Sequence, residues 1–298
     1  MRMCILLVCL LVVSCQQEKD ISFCDLNHDS YSVDTLKNIA YFDSLFLDIY
    51  QVDSTPTVLR PLILLTHGMG DMKESEDLTF HCDRLASQGY VVAAIGWSAI
   101  DSFSIDSSLY YQIGVQPIVD FQKAFQYFLD DARAENQYQI DTNQLFVGGS
   151  SFGAITALHI AYADSLDQFP IEFRESLQLA GLNNTTWKDH QQRINGVVNL
   201  SGWVWDTSYI DTDDPAIISI HGETDALTPF QTDTASIDTI PIMMVSGPGS
   251  IHQRMELLDV PNDLFIIPKG GHVAYFEPAW RDSSASRIAA FLGDIICN

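Results

Sequence analysis

Short apolar runs alternate with amphipathic stretches along most of this chain, and this alternation restricts the possible fold more than any other feature. Most of the runs are apolar throughout, which is typical of strands buried on both faces of a parallel sheet. The stretches between them place apolar side chains at helical spacing, as at Ile118, Phe121 and Phe125. Strands that alternate with helices predict a parallel sheet with helices on both faces. The predicted strands are 45–50, 61–66, 89–95, 145–147, 196–200, 216–220 and 264–267, and the predicted helices are 74–88, 118–132, 154–163 and 286–296.

Composition and charge restrict the class of protein. The chain has 298 residues, of which 47% are hydrophobic, and this is enough to bury one large core. Its 15 Lys and Arg residues against 39 Asp and Glu residues give a formal net charge of −24. A surface this acidic repels phosphate groups, so nucleic acid is not expected as a partner.

The first fifteen residues predict an export signal. Residues 4–13 form an apolar run that is too short to span a bilayer and is typical of the core of a signal peptide. Residues 12–15, Val-Val-Ser-Cys, resemble the lipobox of bacterial lipoproteins, in which the bond before the cysteine is cut and the cysteine is lipidated. The resemblance implies a signal peptide over 1–14 and a polar linker over 15–36. It also implies that a lipidated Cys15 anchors the chain to a membrane of the bacterial cell envelope, as an outer-membrane or cell-surface lipoprotein. A plain secretory signal is the alternative.

Three cysteines, Cys24, Cys82 and Cys297, lie beyond this signal. Export permits disulfides, and three cysteines allow at most one pair. Cys24 could pair with Cys82 or with Cys297, and the sequence does not choose between them. No cysteine or histidine spacing is typical of a zinc site, so no metal is expected.

Two adjacent serines lie in the sequence Gly-Gly-Ser-Ser-Phe-Gly, between a predicted strand and a predicted helix. A nucleophilic serine on a sharp strand-to-helix turn needs small residues two positions before it and two positions after it. Gly149 and Gly153 flank Ser151 in this way, whereas Ser150 has Phe152 two positions after it. Ser151 is therefore the predicted nucleophile, and Ser150 is predicted to pack behind it.

A serine nucleophile needs a histidine base, and the chain order serine, acid, histidine would place that base near the C-terminus. His272 lies there, in a glycine-rich loop after the last predicted strand, and is the predicted base. His81, His159 and His252 are alternatives, but all three lie on predicted helices.

The acid of such a triad orients the imidazole and stabilises its cation. Asp225 follows the predicted strand 216–220, the strand before the last one, and is the predicted acid. Glu223 and Asp206 are alternatives.

The reaction would also need two backbone N–H groups for the charge that develops on the carbonyl oxygen. One would be the N–H of Phe152, which follows the predicted nucleophile. The other is expected from the His-Gly-Met-Gly loop after the predicted strand 61–66, with Met69 as the predicted donor and Gly68 as the alternative. No phosphate-binding glycine motif is present.

Taken together, these motifs resemble the α/β-hydrolase superfamily. His-Gly-Met-Gly, Gly-Ser-Ser-Phe-Gly, His-Gly-Glu-Thr-Asp and Gly-Gly-His follow one another in the order of that superfamily, from about residue 40 to the end. The resemblance extends to bacterial secreted esterases and lipases of the carboxylesterase and dienelactone-hydrolase-like branches. It implies a mostly parallel central sheet of about eight strands with helices on both faces, a catalytic domain over 37–298, and no metal or organic cofactor. Many relatives have Ala after the serine, and Phe152 is expected to narrow the acyl side of the cleft.

The motifs predict a serine hydrolase that cleaves carboxylic esters, with a small-molecule or polymer ester as substrate. A peptidase or amidase that uses the same machinery is one alternative, and a non-catalytic surface binding protein on the same scaffold is another. The long, mixed stretch 164–193 is a candidate cap over the cleft, and Trp187, Trp203 and Trp205 are candidates to line it. The sequence indicates no role for 241–260.

Overall fold

The computed structural model describes residues 22–25, 31–53, 58–98, 107–237 and 240–298. In this part of the chain, a large sheet is covered by helices and accompanied by a small hairpin. The strands are β1 (Val33–Phe42), β2 (Leu45–Val52), β3 (Arg60–Thr66), β4 (Val91–Ile95), β5 (Ile140–Ser150), β6 (Ile194–Leu200), β7 (Ala216–Gly222), β8 (Thr232–Ile237), β9 (Ile240–Ser246) and β10 (Asn262–Ile267). The helices are α1 (Glu76–Ala86), α2 (Ser107–Arg133), α3 (Phe152–Tyr162), α4 (Ile171–Leu179), α5 (Asn184–Gln191), α6 (Pro248–Leu258) and α7 (Arg281–Cys297).

The large sheet has eight strands in the order β1-β2-β4-β3-β5-β6-β7-β10. The strands β4, β3, β5, β6, β7 and β10 are all parallel to their neighbours in this row. Strand β2 pairs antiparallel with both β1 and β4. The predicted fold class, a mostly parallel sheet of about eight strands, is therefore confirmed. The carboxyl ends of the parallel strands meet at one edge, where α/β proteins place their ligand sites.

The helices cover both faces of the sheet, as the alternation predicts. Every residue of β3, β4 and β7 is buried, in keeping with their nearly continuous apolar sequences. One core cluster joins α2 and α3 to the sheet through residues such as Phe121 and Phe125. A second cluster joins α1 and α7 to the opposite face through residues such as Leu78 and Ile288.

Three local features differ from the sequence predictions. Strand β1 begins at Val33, inside the stretch predicted to be a linker up to residue 36. One of its ten residues is buried, so it gives no alternating apolar signal. The hairpin β8–β9 lies where no strands were predicted. Helix α2 begins at Ser107 and not at residue 118 as predicted, so Pro117 lies inside it. Val115 before this proline and Ile118 after it pack against the protein core, which favours the helix on both sides of it.

The N-terminal predictions lie largely outside the described residues, because the signal peptide over 1–14 and the lipidated Cys15 precede them. Cys24 forms a disulfide with Cys297, and Cys82 is a buried free thiol. The disulfide ties the N-terminal segment to the end of α7. In the part of the chain that is described, no helix combines the length and apolarity needed to cross a membrane.

Candidate functional site

Three loops at the carboxyl edge of the sheet bring the predicted triad residues together. Ser151 follows β5, Asp225 lies in the loop after β7, and His272 lies in the loop after β10. His272 Nε2 lies 2.7 Å from Ser151 Oγ, and His272 Nδ1 lies 2.7 Å from Asp225 Oδ2. With an ionised Asp225, Nδ1 carries the proton and Nε2 accepts the hydrogen bond from Ser151, which is the arrangement that a general base needs.

Ser151 lies on a tight turn between β5 and α3. Its φ of 53° and ψ of −115° are unusual for a residue with a side chain. A Cβ atom on Gly149 would approach the carbonyl oxygen of Thr66 to 2.4 Å, and one on Gly153 would approach the same oxygen to 2.2 Å. The glycine spacing in the sequence is therefore required by the close approach of β3 to the turn.

The environment of Asp225 holds it as a carboxylate. Its side chain is fully buried, and the backbone N–H groups of Leu227 and Thr228 donate to Oδ1 at 2.8 and 3.0 Å. Burial acts to raise the pKa of Asp225, but the hydrogen bond and charge of His272 and these two N–H groups outweigh it, so the pKa is lowered. Asp225 can therefore stabilise a protonated His272.

Ser201 connects the three loops around the histidine. Its hydroxyl donates to the carbonyl oxygen of His272 at 2.7 Å, and Thr228 Oγ1 donates to the carbonyl oxygen of Ser201 at 2.9 Å. Ser201 itself has a φ of 58°. This hydrogen-bonded chain fixes the backbone that carries His272 relative to the loop that carries Asp225.

A second imidazole, that of His221, lies beside the acid. His221 Nδ1 is 3.9 Å from Asp225 Oδ2, whereas His272 Nδ1 is 2.7 Å from the same oxygen. Burial lowers the pKa of His221, although the Asp225 carboxylate opposes this effect. His221 is therefore a neutral neighbour of the acid, and His272 is the histidine that bridges to the serine.

The loop after β3 packs directly against the turn that carries Ser151. A Cβ atom on Gly68 would lie 3.4 Å from the Cβ atom of Ser151. His67 Nδ1 donates to the carbonyl oxygen of Gly68 at 2.9 Å, and its ring stacks on Trp97 at a centroid distance of 4.7 Å. Gly68 thus lies against Ser151, and Met69 lines the same cavity, while their role as backbone donors stays a prediction.

The hydroxyl of Ser150 bonds within a buried polar cluster and not with the triad. Its hydroxyl donates to Asp77 Oδ2 at 2.7 Å, and the hydroxyl oxygen of Tyr275 lies 2.5 Å from Ser150 Oγ. Because the one hydroxyl hydrogen of Ser150 is directed at Asp77, Tyr275 donates to Ser150. Burial raises the pKa of Tyr275 well above its usual value, and the nearby Asp77 adds to the effect, so the phenol stays protonated.

A cavity of about 260 Å³ opens at Ser151 and His272. The hairpin β8–β9 contributes to its wall, whereas none of its described lining residues comes from 164–193, the candidate cap. Of the three candidate tryptophans, Trp203 lines this cavity and Trp187 is fully buried elsewhere. The lining residues are Gly68, Met69, Asp71, Ser150, Ser151, Phe152, Ile155, Trp203, Leu227, Thr228, Ala235, Ser236, Ile242, His272 and Val273.

The alternative histidines have other hydrogen-bond partners. His81 Nδ1 donates to the carbonyl oxygen of Asp77 within α1, and His252 bonds to Asn262. His159 is buried, donates to the carbonyl oxygen of Ile155 and accepts from the N–H of Trp205. None of the three contacts the serine.

The alternative acids likewise bond elsewhere. Glu223 accepts from the N–H of Lys269, and Asp206 accepts from the N–H of Ser208. Among the described residues, no group of three or more His, Cys, Asp or Glu side chains is arranged to hold a metal ion.

The sequence reading missed four contributors to this site: Asp77, Tyr275, Ser201 and the hairpin β8–β9. Only Tyr275 lies near a predicted site residue in the sequence, three residues after His272. The others come from elements far away along the chain.

No protein-family model and no curated protein matches this sequence. Solved structures match it over most of its length. A truncated carbohydrate esterase from gut microbiota is 16% identical, with a TM-score of 0.61, and the match covers 91% of this chain and 99% of that chain.

Two further structures are similar at comparable levels. A thermophilic esterase from Thermogutta terrifontis with bound butyrate is 14% identical, with a TM-score of 0.59, over 87% of this chain and 94% of that chain. A dienelactone hydrolase from Anabaena variabilis is 14% identical, with a TM-score of 0.54, over 89% of this chain and 97% of that chain. The chain therefore has the α/β-hydrolase fold.

Proposed function

We propose that this protein is a serine hydrolase that cleaves carboxylic esters through an acyl-enzyme. The observation that carries the proposal is the continuous hydrogen-bonded chain from Ser151 through His272 to the buried Asp225, at the mouth of a cavity. A serine hydroxyl becomes nucleophilic only beside such a base. Solved structures of the same fold that are named as esterases, one of them with bound butyrate, support an ester as the substrate.

In the first half of the proposed reaction, Ser151 Oγ attacks the ester carbonyl while His272 Nε2 takes its proton. The backbone N–H groups of Phe152 and Met69 stabilise the resulting oxyanion. His272 then gives the proton to the leaving alcohol, and the acyl group stays on Ser151. Asp225 keeps Nδ1 protonated throughout, which leaves Nε2 free to act as base and then as acid.

In the second half, a water molecule takes the place of the alcohol. His272 removes its proton, the hydroxide attacks the acyl carbonyl, and the proton returns to Ser151 as the carboxylic acid leaves. Each step uses the same two nitrogens of His272. The hydrogen bond from Ser201 to the carbonyl oxygen of His272 supports this role, since it fixes the histidine backbone.

A pair of chromogenic substrates tests the proposal: 4-nitrophenyl butyrate and the matching butyric acid 4-nitroanilide. The ester should be hydrolysed, and Ser151→Ala should lower kcat/KM by at least about 10³-fold while leaving the protein folded. Faster turnover of the anilide would make the protein an amidase. A folded protein that cleaves neither compound would overturn the proposal.

We also propose that the chain is exported and anchored to the cell envelope through a lipidated Cys15. The Cys24–Cys297 disulfide supports export, because such bonds persist in oxidising compartments. Cell fractionation after metabolic labelling with a radioactive fatty acid tests the anchor. Label in the membrane fraction that disappears in Cys15→Ser is the expected result, and an unlabelled, freely soluble protein would contradict it.

A further inference from the structure

The cavity at Ser151 has an apolar inner wall. Phe152, Ile155 and Trp203 form this wall, and all three belong to one buried apolar cluster. Met69 packs against the same cluster from the loop after β3. The cavity volume of about 260 Å³ lies below the roughly 300–1,000 Å³ typical of sites for drug-sized ligands.

A second, very small cavity lies behind this wall. Its volume is about 20 Å³, and Phe152, Ile155 and Trp203 line it as well. Its far side includes Phe173 and Trp205, whose rings pack edge to face at a centroid distance of 4.9 Å. The three wall side chains therefore separate the reacting cavity from a small apolar space that a longer chain could enter only if the wall were opened.

The position of His272 assigns the two parts of an ester to different sides of the cavity. His272 must give its proton to the leaving alcohol, so the alcohol lies on the side of His272, beside Val273 and Leu227. Val273 and Leu227 are exposed, so this side is open to solvent. The acyl group then points the other way, toward the wall of Phe152, Ile155 and Trp203.

Charge restricts the substrate further. Among the described lining residues, Asp71 is the one with a carboxylate, and none is Lys or Arg. A Cβ atom on Gly68 would lie 3.1 Å from Asp71 Oδ2 and 3.4 Å from the Cβ atom of Ser151. The Asp71 carboxylate is therefore close to the reacting serine. A substrate with a negative charge would be repelled here.

We propose that this site selects uncharged esters with a short, apolar acyl group. The wall of Phe152, Ile155 and Trp203 limits the length of the acyl chain, and Asp71 disfavours an acyl chain that ends in a carboxylate. The inference rests on the ester hydrolase function proposed above and defines its substrate class.

The test measures kcat/KM for four 4-nitrophenyl esters: butyrate, octanoate, hexanoate and the monoester of adipic acid, which matches hexanoate in length but carries a carboxylate. The wild type should prefer butyrate to octanoate by about tenfold or more. It should prefer hexanoate to the adipate monoester by about tenfold or more at low salt, and added salt should reduce this second ratio.

Ile155→Ala and Asp71→Asn test whether these two residues cause the selectivity. Ile155→Ala should raise the octanoate-to-butyrate ratio several-fold, because it opens the wall toward the second cavity. Ile160→Ala makes the same change on the same helix at a fully buried position that lines neither cavity, and should leave the ratio unchanged. Asp71→Asn should raise the adipate-to-hexanoate ratio several-fold. If Ile155→Ala does not fold, Ile155→Val makes a smaller change in the same direction.

The outcomes separate this inference from the proposed function. A wild type that hydrolyses octanoate as well as butyrate, or the adipate monoester as well as hexanoate, would overturn the inference and leave the ester hydrolase intact. If Ile155→Ala and Asp71→Asn keep the wild-type selectivity unchanged, these residues do not cause the selectivity, and this result would also overturn the inference. A folded protein that hydrolyses none of the four esters would overturn both.

Discussion

The hydroxyl oxygens of Ser150 and Tyr275 lie 2.5 Å apart beneath the turn that carries Ser151. Tyr275 follows His272 by three residues, and Ser150 precedes Ser151 directly, so this contact connects the segment of the base to the segment of the nucleophile. Asp77 on α1 accepts from Ser150 at 2.7 Å and lies 3.3 Å from the Tyr275 hydroxyl. The polar cluster behind the triad thus holds together three elements that are distant in the sequence.

Tyr275→Phe tests whether this cluster positions the triad. Loss of the hydroxyl leaves Ser150 without its donor, so we expect the free energy of unfolding to fall by about 1 kcal/mol. We also expect kcat/KM to fall on the order of tenfold, because small displacements of reacting groups are costly. Urea unfolding and ester hydrolysis measure the two effects.

Tyr90→Phe is the matched control. Tyr90 is also buried and donates to the carbonyl oxygen of Ala289, but it does not line the cavity at Ser151. The Tyr90→Phe variant should be less stable than the wild type but should keep the wild-type kcat/KM. Equal activities of the two variants would show that the Tyr275 hydroxyl contributes to stability alone.

Gly153→Ala tests the steric requirement of the turn. The added methyl group would lie 2.2 Å from the carbonyl oxygen of Thr66 and 2.7 Å from that of His67, which are backbone atoms that cannot move aside easily. We expect a loss of about 3 kcal/mol or more in the free energy of unfolding, or a failure to fold. Gly271→Ala is the control, since nothing lies within 4 Å of its added Cβ atom. A Gly153→Ala protein as stable as Gly271→Ala would contradict the turn geometry.

The disulfide between Cys24 and Cys297 closes a loop with a sequence separation of 273 residues. Cross-linking residues so far apart restricts the unfolded chain, so the double substitution Cys24→Ser and Cys297→Ser should lower the free energy of unfolding by about 2–4 kcal/mol. Dithiothreitol should have a similar effect on the wild type and none on the double variant. A wild type whose unfolding midpoint stays constant after complete reduction would rule out this contribution.

The carboxyl group of Asp214 is expected to make the free energy of unfolding depend on pH. Burial raises the pKa of Asp214 to about 7; the N–H of Asp211 opposes this effect, and the charges of Asp164, Asp211 and Asp213 add to it. In the unfolded chain the pKa of an aspartate is about 3.9. Between these values the folded state binds more protons than the unfolded state, so the free energy of unfolding falls as the pH rises from about 4 to 7.

Asp214→Asn should remove this part of the pH dependence. Urea unfolding at pH 5 and pH 8 should show a smaller loss of stability with rising pH in Asp214→Asn than in the wild type, with a difference of about 1–3 kcal/mol. Asp213→Asn, at an exposed neighbouring position, should keep most of the wild-type dependence. Identical pH dependence in all three proteins would contradict the raised pKa.

The sequence was sufficient to predict the parallel sheet and the residues that meet at its edge, for physical reasons. Buried parallel strands such as Pro61–Thr66 need continuous apolar runs, which are visible without a structure. The turn at Ser151 needs small residues at Gly149 and Gly153, so the choice between two adjacent serines is a local question. Asp225 follows the buried strand β7 and His272 follows β10, so their place in the chain follows from the order of the strands.

The remaining features depend on contacts between distant segments, which a single sequence does not reveal. The hydroxyl of Ser150 meets Asp77 across 73 residues and Tyr275 across 125 residues. Strand β8 is rich in polar residues and β9 contains Pro241, so neither gives a clear strand signal. Tertiary packing decides that Cys24 pairs with Cys297 and not with Cys82. The side chain of Cys82, on α1, is buried in the core.

Labelling with a fluorescent fluorophosphonate, which reacts with an activated serine, tests the central claim most directly. Wild type, Ser150→Ala and Ser151→Ala should be compared after each is shown to be folded. The account predicts that the wild type and Ser150→Ala are labelled and that Ser151→Ala is not. A folded wild type that takes no label, or a Ser151→Ala protein that is labelled as strongly as the wild type, would contradict it.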